Sequence, residues 1–188
     1  NSRASRWLTL TNCSSTRSNS SNSNSSSIDL YEACGTKLGK MIKLLKALPS
    51  TERSLVFVQY KSLTDDVANV FQEAGISTLN LSAGSTVAKQ KTLRRFTKEP
   101  SAPKVLLLEV DSANAAGANL TIANNVFFVS PVVSDTQQEY DAWETQAIGR
   151  VRRYGQEKTV KIWRFVAKGT IDEDIVRIRA PQVLEEAA

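Results

Sequence analysis

The 188-residue chain contains no histidine and only two cysteines, and these scarcities exclude whole classes of chemistry. Without an imidazole, no Ser–His or Cys–His nucleophile can be assembled within it, nor any His-ligated metal centre. Cys13 and Cys34 stand apart and form no CxxC pair. They cannot build a zinc site alone, and they read as free thiols of a reducing compartment. No apolar run approaches the roughly 20 residues that a membrane span requires. The first residues, Asn1 to Ser5, lack a signal-peptide core, and with no initiator Met the chain reads as a fragment of something longer. A phosphate-binding loop is missing too. Gly35-Thr36-Lys37-Leu38-Gly39-Lys40-Met41 is one residue short of the GxxxxGK[ST] spacing, and Met41 stands where a magnesium-binding hydroxyl is needed. By itself the chain cannot assemble an ATP site.

What is present is an ordinary, moderately basic body behind a polar leader. Hydrophobic residues make up 41% of the chain, and 24 Lys and Arg against 19 Asp and Glu leave a net charge of +5, which favours acidic partners, nucleic acid above all. Ser14 to Ser27 is Ser and Asn apart from one Thr and one Arg. Such a stretch has nothing to bury against the entropy of ordering, so residues 1–28 are expected to be a disordered linker or tail. Residues 29–180 form the expected domain, and 181–188 a short tail.

Within that body, helical and strand patterns alternate. Leu38, Met41, Ile42, Leu45 and Leu48 recur at helical spacing before Pro49. Further helices are expected from about Leu63 to Gly75, over Ala88 to Phe96, over Gln137 to Arg153, and from Thr170, where Glu173 occupies the capping-box position. Leu55 to Val58, Thr78 to Leu81, Val105 to Leu108 and Val126 to Val129 read as strands. Val160 to Val166 alternates apolar and basic residues, as a strand with one wetter face would, with Trp163 and Phe165 in or beside the core. The alternation predicts an α/β fold, a mostly parallel sheet with helices on both faces, which binds ligands at the carboxyl ends of its strands.

The run Gln146-Ala147-Ile148-Gly149-Arg150-Val151-Arg152-Arg153-Tyr154-Gly155-Gln156 concentrates the chemistry. On a helix, Gln146, Gly149, Arg150 and Arg153 fall at i, i+3, i+4 and i+7 and share one face. That face offers two permanent guanidiniums, a flat amide and a gap at Gly149, a pattern suited to a polyphosphate. Arg152 reads as solvated or ion-paired. The competing reading of Arg150 and Arg153 is a structural salt-bridge network.

The pattern QxxGRxxR resembles the sixth motif of superfamily-two helicases, and Arg-x-x-Arg-x-Gly-Gln over Arg150 to Gln156 resembles its form in SWI/SNF-type ATPases. Other pieces agree in order. Lys37 to Leu48 is similar to the family's first helix of this lobe, and Ser54 to Tyr60 to its fourth motif. Gly117-Ala118-Asn119-Leu120-Thr121 is similar to the end of the fifth, and Thr170 to Ile175 to its closing segment. The likeness runs from about Thr36 to Arg179 and implies the second, C-terminal lobe of such an ATPase, a three-layer RecA-like lobe.

The resemblance further implies roles. Arg150 and Arg153 take the arginine-finger positions, reaching ATP and Mg2+ that are held mainly by a missing first lobe. Gln146 and Gly149, with Gly117 and Asn119, bind the nucleotide or couple its state to the DNA track. Gln59, Tyr60, Ser82, Lys89, Arg94 and Arg95 are implied DNA contacts, the helical cations having a plain solvated face as their alternative. The implied partners are the N-terminal RecA-like lobe of the same parent and double-stranded DNA, free or on nucleosomes, in the nucleus, with no membrane. One departure stands out: Ala113-Asn114-Ala115-Ala116 replaces the glycines usual before the fifth motif's G-x-N-L, removing backbone freedom there. Two rival readings are a non-catalytic DNA- or protein-binding lobe and the lobe of an RNA helicase.

Overall fold

The computed structural model describes residues 3–10, 35–82, 84–110 and 118–182, the first of these through their backbone. Six strands, β1 (Arg3–Leu10), β2 (Ser54–Val58), β3 (Thr78–Asn80), β4 (Val105–Glu109), β5 (Asn125–Phe128) and β6 (Val160–Ala167), form one sheet. Its order is β1-β6-β5-β2-β4-β3 and every pair is parallel. Among the described residues there are five helices: α1 (Gly35–Ala47), α2 (Lys61–Glu73), α3 (Thr86–Lys98) and α4 (Gln137–Gly149), which precede β2, β3, β4 and β6, and α5 (Ile171–Arg179), which follows β6. The expected α/β architecture is therefore present, and the sheet is wholly rather than mostly parallel. Among the described residues no helix is long and apolar enough to cross a membrane.

Both faces of the sheet are buried, which explains why the strands read as continuous apolar runs. On one face Val56, Val58, Leu107, Phe127, Trp163 and Phe165 lie under Met41 and Ile42 of α1 and Val67 and Phe71 of α2. On the other, Leu55, Phe57, Leu106, Val126, Phe128 and Ile162 lie under Phe96 of α3, Tyr140 and Ala147 of α4 and Val176 of α5. Trp163 and Phe165 are core residues, as expected. Both stack on Phe127, at centroid separations of 5.8 and 6.3 Å.

Two expectations are corrected here. The first concerns residues 1–28. Composition predicts a disordered tail, yet Arg3–Leu10 pairs with β6 along its whole length, from Arg3 opposite Val160 to Leu10 opposite Ala167. Strand order, not local composition, decides this, because β6 needs a neighbour on its outer side. The second concerns β6 itself, which has no wet face. Its Arg164 is buried at 4% exposure and bonds Glu144 of α4 through two parallel hydrogen bonds of 2.6 and 2.8 Å. The alternation of basic and apolar residues thus records a satisfied internal ion pair.

Arg53 is a second structural arginine. It precedes β2 and donates hydrogen bonds to the carbonyls of Phe96 and, at 2.7 Å, Glu99, so it closes the carboxyl end of α3. The start of α4 is fixed by a full capping box. Thr136 Oγ1 accepts from Glu139 N, and the Glu139 carboxylate accepts from Thr136 N.

Beside the Arg164–Glu144 pair lies Tyr140, 4% exposed, whose phenol is pushed up to about 12 by burial first and by the Glu144 charge second. The folded chain keeps this proton up to about 12, whereas the unfolded chain releases it near the ordinary value of 10.0. The associated stability is complete below pH 10 and is lost as pH rises from there towards 12. Tyr140→Phe keeps the packing without the titration. In urea unfolding it is expected to lose about 2 kcal/mol less stability than the parent chain between pH 10 and 12.

Candidate nucleotide-facing site

The arginine cluster lies in the connection from α4 to the amino end of β6. Helix α4 stops at Gly149, earlier than the expected Arg153, and Arg150 is its C-cap residue. The next turn tightens, with Val151 N and Arg152 N both donating to Ile148 O at 3.1 and 2.9 Å. Val151 is fully buried and pulls this turn into the core. Gly155 then adopts φ +93°, a conformation that disfavours any side chain.

This early stop separates residues expected to share a face. Arg150 is buried at 3% exposure, with its guanidinium carbon 5.9 Å from the centre of the Phe57 ring. Arg153 is exposed, and its Nε donates to Gly149 O at 3.0 Å, which sets a cation at the carbonyl end of α4. Burial lowers the Arg150 guanidinium from its ordinary value, and the nearby Arg153 charge lowers it further. The guanidinium nonetheless remains cationic near neutral pH. A permanent charge held in this way gains more from a nearby anion than a solvated one does. Gln146 is exposed on α4, and a Cβ built on Gly149 would meet nothing within 4 Å.

A second segment, residues 118–124, packs against this connection. Leu120, fully buried, donates its N–H to Arg150 O at 3.1 Å. Asn119 folds its side chain over the same loop, Oδ1 accepting from Thr121 N at 3.1 Å. Gln156 fastens the two segments together. Its Nε2 is shared among the carbonyls of Thr121 (2.9 Å), Ala123 (2.9 Å) and Val151 (3.2 Å), while Oε1 accepts from Lys158 N at 3.0 Å. Sequence reasoning missed this role. The signal was the Gly155-Gln156 pair itself, a glycine turn followed by a side chain that carries both a donor and an acceptor. Gly117 and the substituted stretch Ala113 to Ala116 lie outside the described residues.

The implied DNA contacts are placed elsewhere and unevenly. Gln59, at the carboxyl end of β2, is committed to Val133: its Oε1 accepts from the Val133 N–H at 2.9 Å and its Nε2 donates to the Val133 carbonyl at 2.8 Å. Ser82, past the end of β3, is buried at 7% exposure. Ser82 is thus largely withdrawn from the surface, while Gln59 is half-buried and spent on Val133. Tyr60 is 51% exposed at the start of α2. On α3 Arg94 is exposed, Lys89 is half-buried, and Arg95 pairs with Glu99 at 3.3 Å. The arginine cluster, by contrast, sits where β6 begins, at the opposite ends of the strands. Among the described residues no group of three or more Cys, Asp or Glu could hold a metal ion.

A parallel sheet covered on both faces, with a buried arginine beside an Asn-Leu-Thr loop, defines a RecA-like lobe of the helicase type. Residues 36–155 match the model of the helicase conserved C-terminal domain, and the chain belongs to that family. It is 41% identical over 153 residues to a DNA (cytosine-5-)-methyltransferase of Cryptococcus neoformans var. grubii, a match covering 81% of this chain and 6% of that protein. Another relative, the DNA repair protein RAD5 of Cryptococcus neoformans var. neoformans, is 32% identical over 148 residues, covering 77% of this chain and 12% of that protein. Among solved structures, the C-terminal part of the Fun30 ATPase domain superposes with TM-score 0.65 at 25% identity, covering 77% of this chain and 45% of the other. The Escherichia coli DEAD-box protein SrmB shares the fold, with TM-score 0.63 at 19% identity, over 99% of this chain and 87% of that one. The expected likeness to SWI/SNF-type lobes holds in these relatives. The chain spans only 6% and 12% of the two curated relatives described.

Replacing Gln156 with Ala removes every donor and acceptor that joins the α4–β6 connection to residues 121–123. The Gln156→Ala chain is expected to be about 2 kcal/mol less stable in urea unfolding, with faster amide exchange at Leu120 and Ala123 than at β2.

Proposed function

We propose that this chain is the second motor lobe of a DNA-stimulated ATPase that translocates on duplex DNA. In this reading ATP and Mg2+ are held mainly by a preceding lobe of the same parent. Arg150 and Arg153 approach the triphosphate when the lobes close and offset the charge that develops on the transferred phosphoryl group. The observation that carries the reading is the setting of Arg150. A permanent cation is kept largely out of water beside a second arginine, and its main chain is bonded to the Asn-Leu-Thr loop, so a phosphate oxygen brought to it would be attracted more strongly than by a solvated cation. Gly149, where this chain has no steric need for glycine, leaves room for a group from outside. Fully exposed Tyr154, with the adjacent cavity of about 600 Å³ lined in part by Arg152 and Arg153, offers surface for the preceding lobe to cover.

Asn119 and Gln146 would report the nucleotide state, Asn119 through the loop that Gln156 fastens. With Gln59 spent on Val133 and Ser82 largely withdrawn from the surface, Tyr60, Lys89 and Arg94 are the better candidates for the DNA backbone, with Gly117 a coupling position on its loop. The relatives that serve DNA repair support duplex DNA as the track and the nucleus as the compartment. Nucleosomes are a plausible form of that track. A second reading of the parent follows from the 41% identity to a fungal cytosine methyltransferase: the same motor lobe joined to a DNA-methylating domain. Methyl transfer to cytosine by the parent, made dependent on ATP, would distinguish it from a repair translocase.

Two outcomes test the motor reading. The isolated chain is expected to hydrolyse no ATP with or without duplex DNA, because it holds only one side of the site. In the two-lobed parent, Arg150→Ala and Arg153→Ala are each expected to lower kcat by roughly 10³-fold or more while nucleotide affinity stays nearly constant. Normal turnover at saturating ATP would sink the finger assignment, and stimulation by RNA in preference to duplex DNA would overturn the choice of track.

A further inference from the structure

The two edges of the sheet are built differently. At one edge β3 has three residues, Thr78–Asn80, and Asn80 is tied to Asp65 by a 3.1 Å hydrogen bond. A short edge of this kind offers little for another strand to join. At the other end of the order, β6 is eight residues long and reads Val-Lys-Ile-Trp-Arg-Phe-Val-Ala. All but Lys161 are buried, with apolar side chains on both faces. That is the sequence of an interior strand. Left as an edge, it would present a long, apolar row of main-chain donors and acceptors, which folded proteins cover or interrupt.

The cover is β1. Its eight residues match the eight of β6 one for one and in register. Its sequence, Arg-Ala-Ser-Arg-Trp-Leu-Thr-Leu, carries two arginines, a Ser and a Thr, a composition suited to an outermost strand. It joins the sheet through β6 alone. The covalent path from Leu10 to α1 runs through residues 11–34, which include the whole Ser/Asn stretch. A link of that length can span roughly 80 Å at full extension, so it exerts little control over where β1 docks. The ladder itself must therefore supply the position.

We infer that the outer edge of β6 is a strand-acceptor site for an extended peptide added in parallel, and that Arg3–Leu10 is its tethered occupant. Recognition follows the strand-addition mode, in which main-chain hydrogen bonds supply affinity and alternate side chains supply selectivity. On this inference Arg3–Leu10 belongs to the lobe's sheet.

The full chain tests this with a specific protease site placed within Ser14 to Ser27 and a fluorophore at residue 1. After cleavage the labelled N-terminal fragment is expected to co-elute with the rest of the chain in size-exclusion chromatography. An excess of a synthetic peptide of residues 3–10 is expected to displace it. The same peptide carrying Arg6→Pro and Trp7→Pro lacks whichever of those two N–H groups faces β6, and should compete roughly a hundredfold less well. Release of the fragment on cleavage would overturn the inference. Equal competition by the two peptides would also overturn it, since the ladder would then not be what holds the strand.

Discussion

Keeping the Arg150 charge out of water is the constraint on which the candidate site depends. A guanidinium cannot shed its proton to escape burial, so its surroundings must be arranged around it. Phe57 supplies a ring face, Leu120 bonds the main chain, and Val151 anchors the turn. Gln156 then holds residues 121–123 against the same connection, so that loop and the turn that carries Arg150 are fastened together. Loosening any one of these would let water reach the charge and weaken its hold on an anion.

Three buried arginines around the same sheet show how one residue type serves different ends. Arg53 donates to carbonyls at the end of α3, and Arg164 meets Glu144 through a paired fork. Each has its charge answered within the lobe by a group whose identity follows from packing. Arg150 differs in lying beside another cation, and burial and that neighbour act in the same direction on it. Burial alone does not mark a functional arginine; what the nearest charged group does to it is more informative.

The strands, the helices and the RecA-like class were legible in the sequence because a parallel sheet buried on both faces leaves continuous apolar runs between amphipathic helices. The arginine cluster was legible as a motif, but its geometry was not. Helical spacing places Arg150 and Arg153 together, whereas α4 ends at Gly149 and turns Arg150 inward and Arg153 outward. Nothing local announces that end, since Arg150 itself keeps helical angles and the stop comes from Val151 entering the core. The surroundings of Ser82 and Gln59 were not legible for a related reason. Polar residues at strand ends look available in sequence, but these are buried at 7% exposure or spent on Val133. β1 was hidden by the composition beside it, because its place is set by the needs of a strand some 150 residues away.

The division of labour within Arg150 to Gln156 bears on how such lobes change over evolutionary time. Gly155 is required by a positive φ and Gln156 by the carbonyls it gathers, so both would be retained in a lobe that no longer hydrolysed anything. Arg150, set into the core, would be slow to drift for the same reason. Arg153 bonds Gly149 O from an exposed position, so its guanidinium is held at the surface rather than in the core. In a lineage released from catalysis it should be the first of the four to vary. Its presence is therefore the part of the motif that folding explains least.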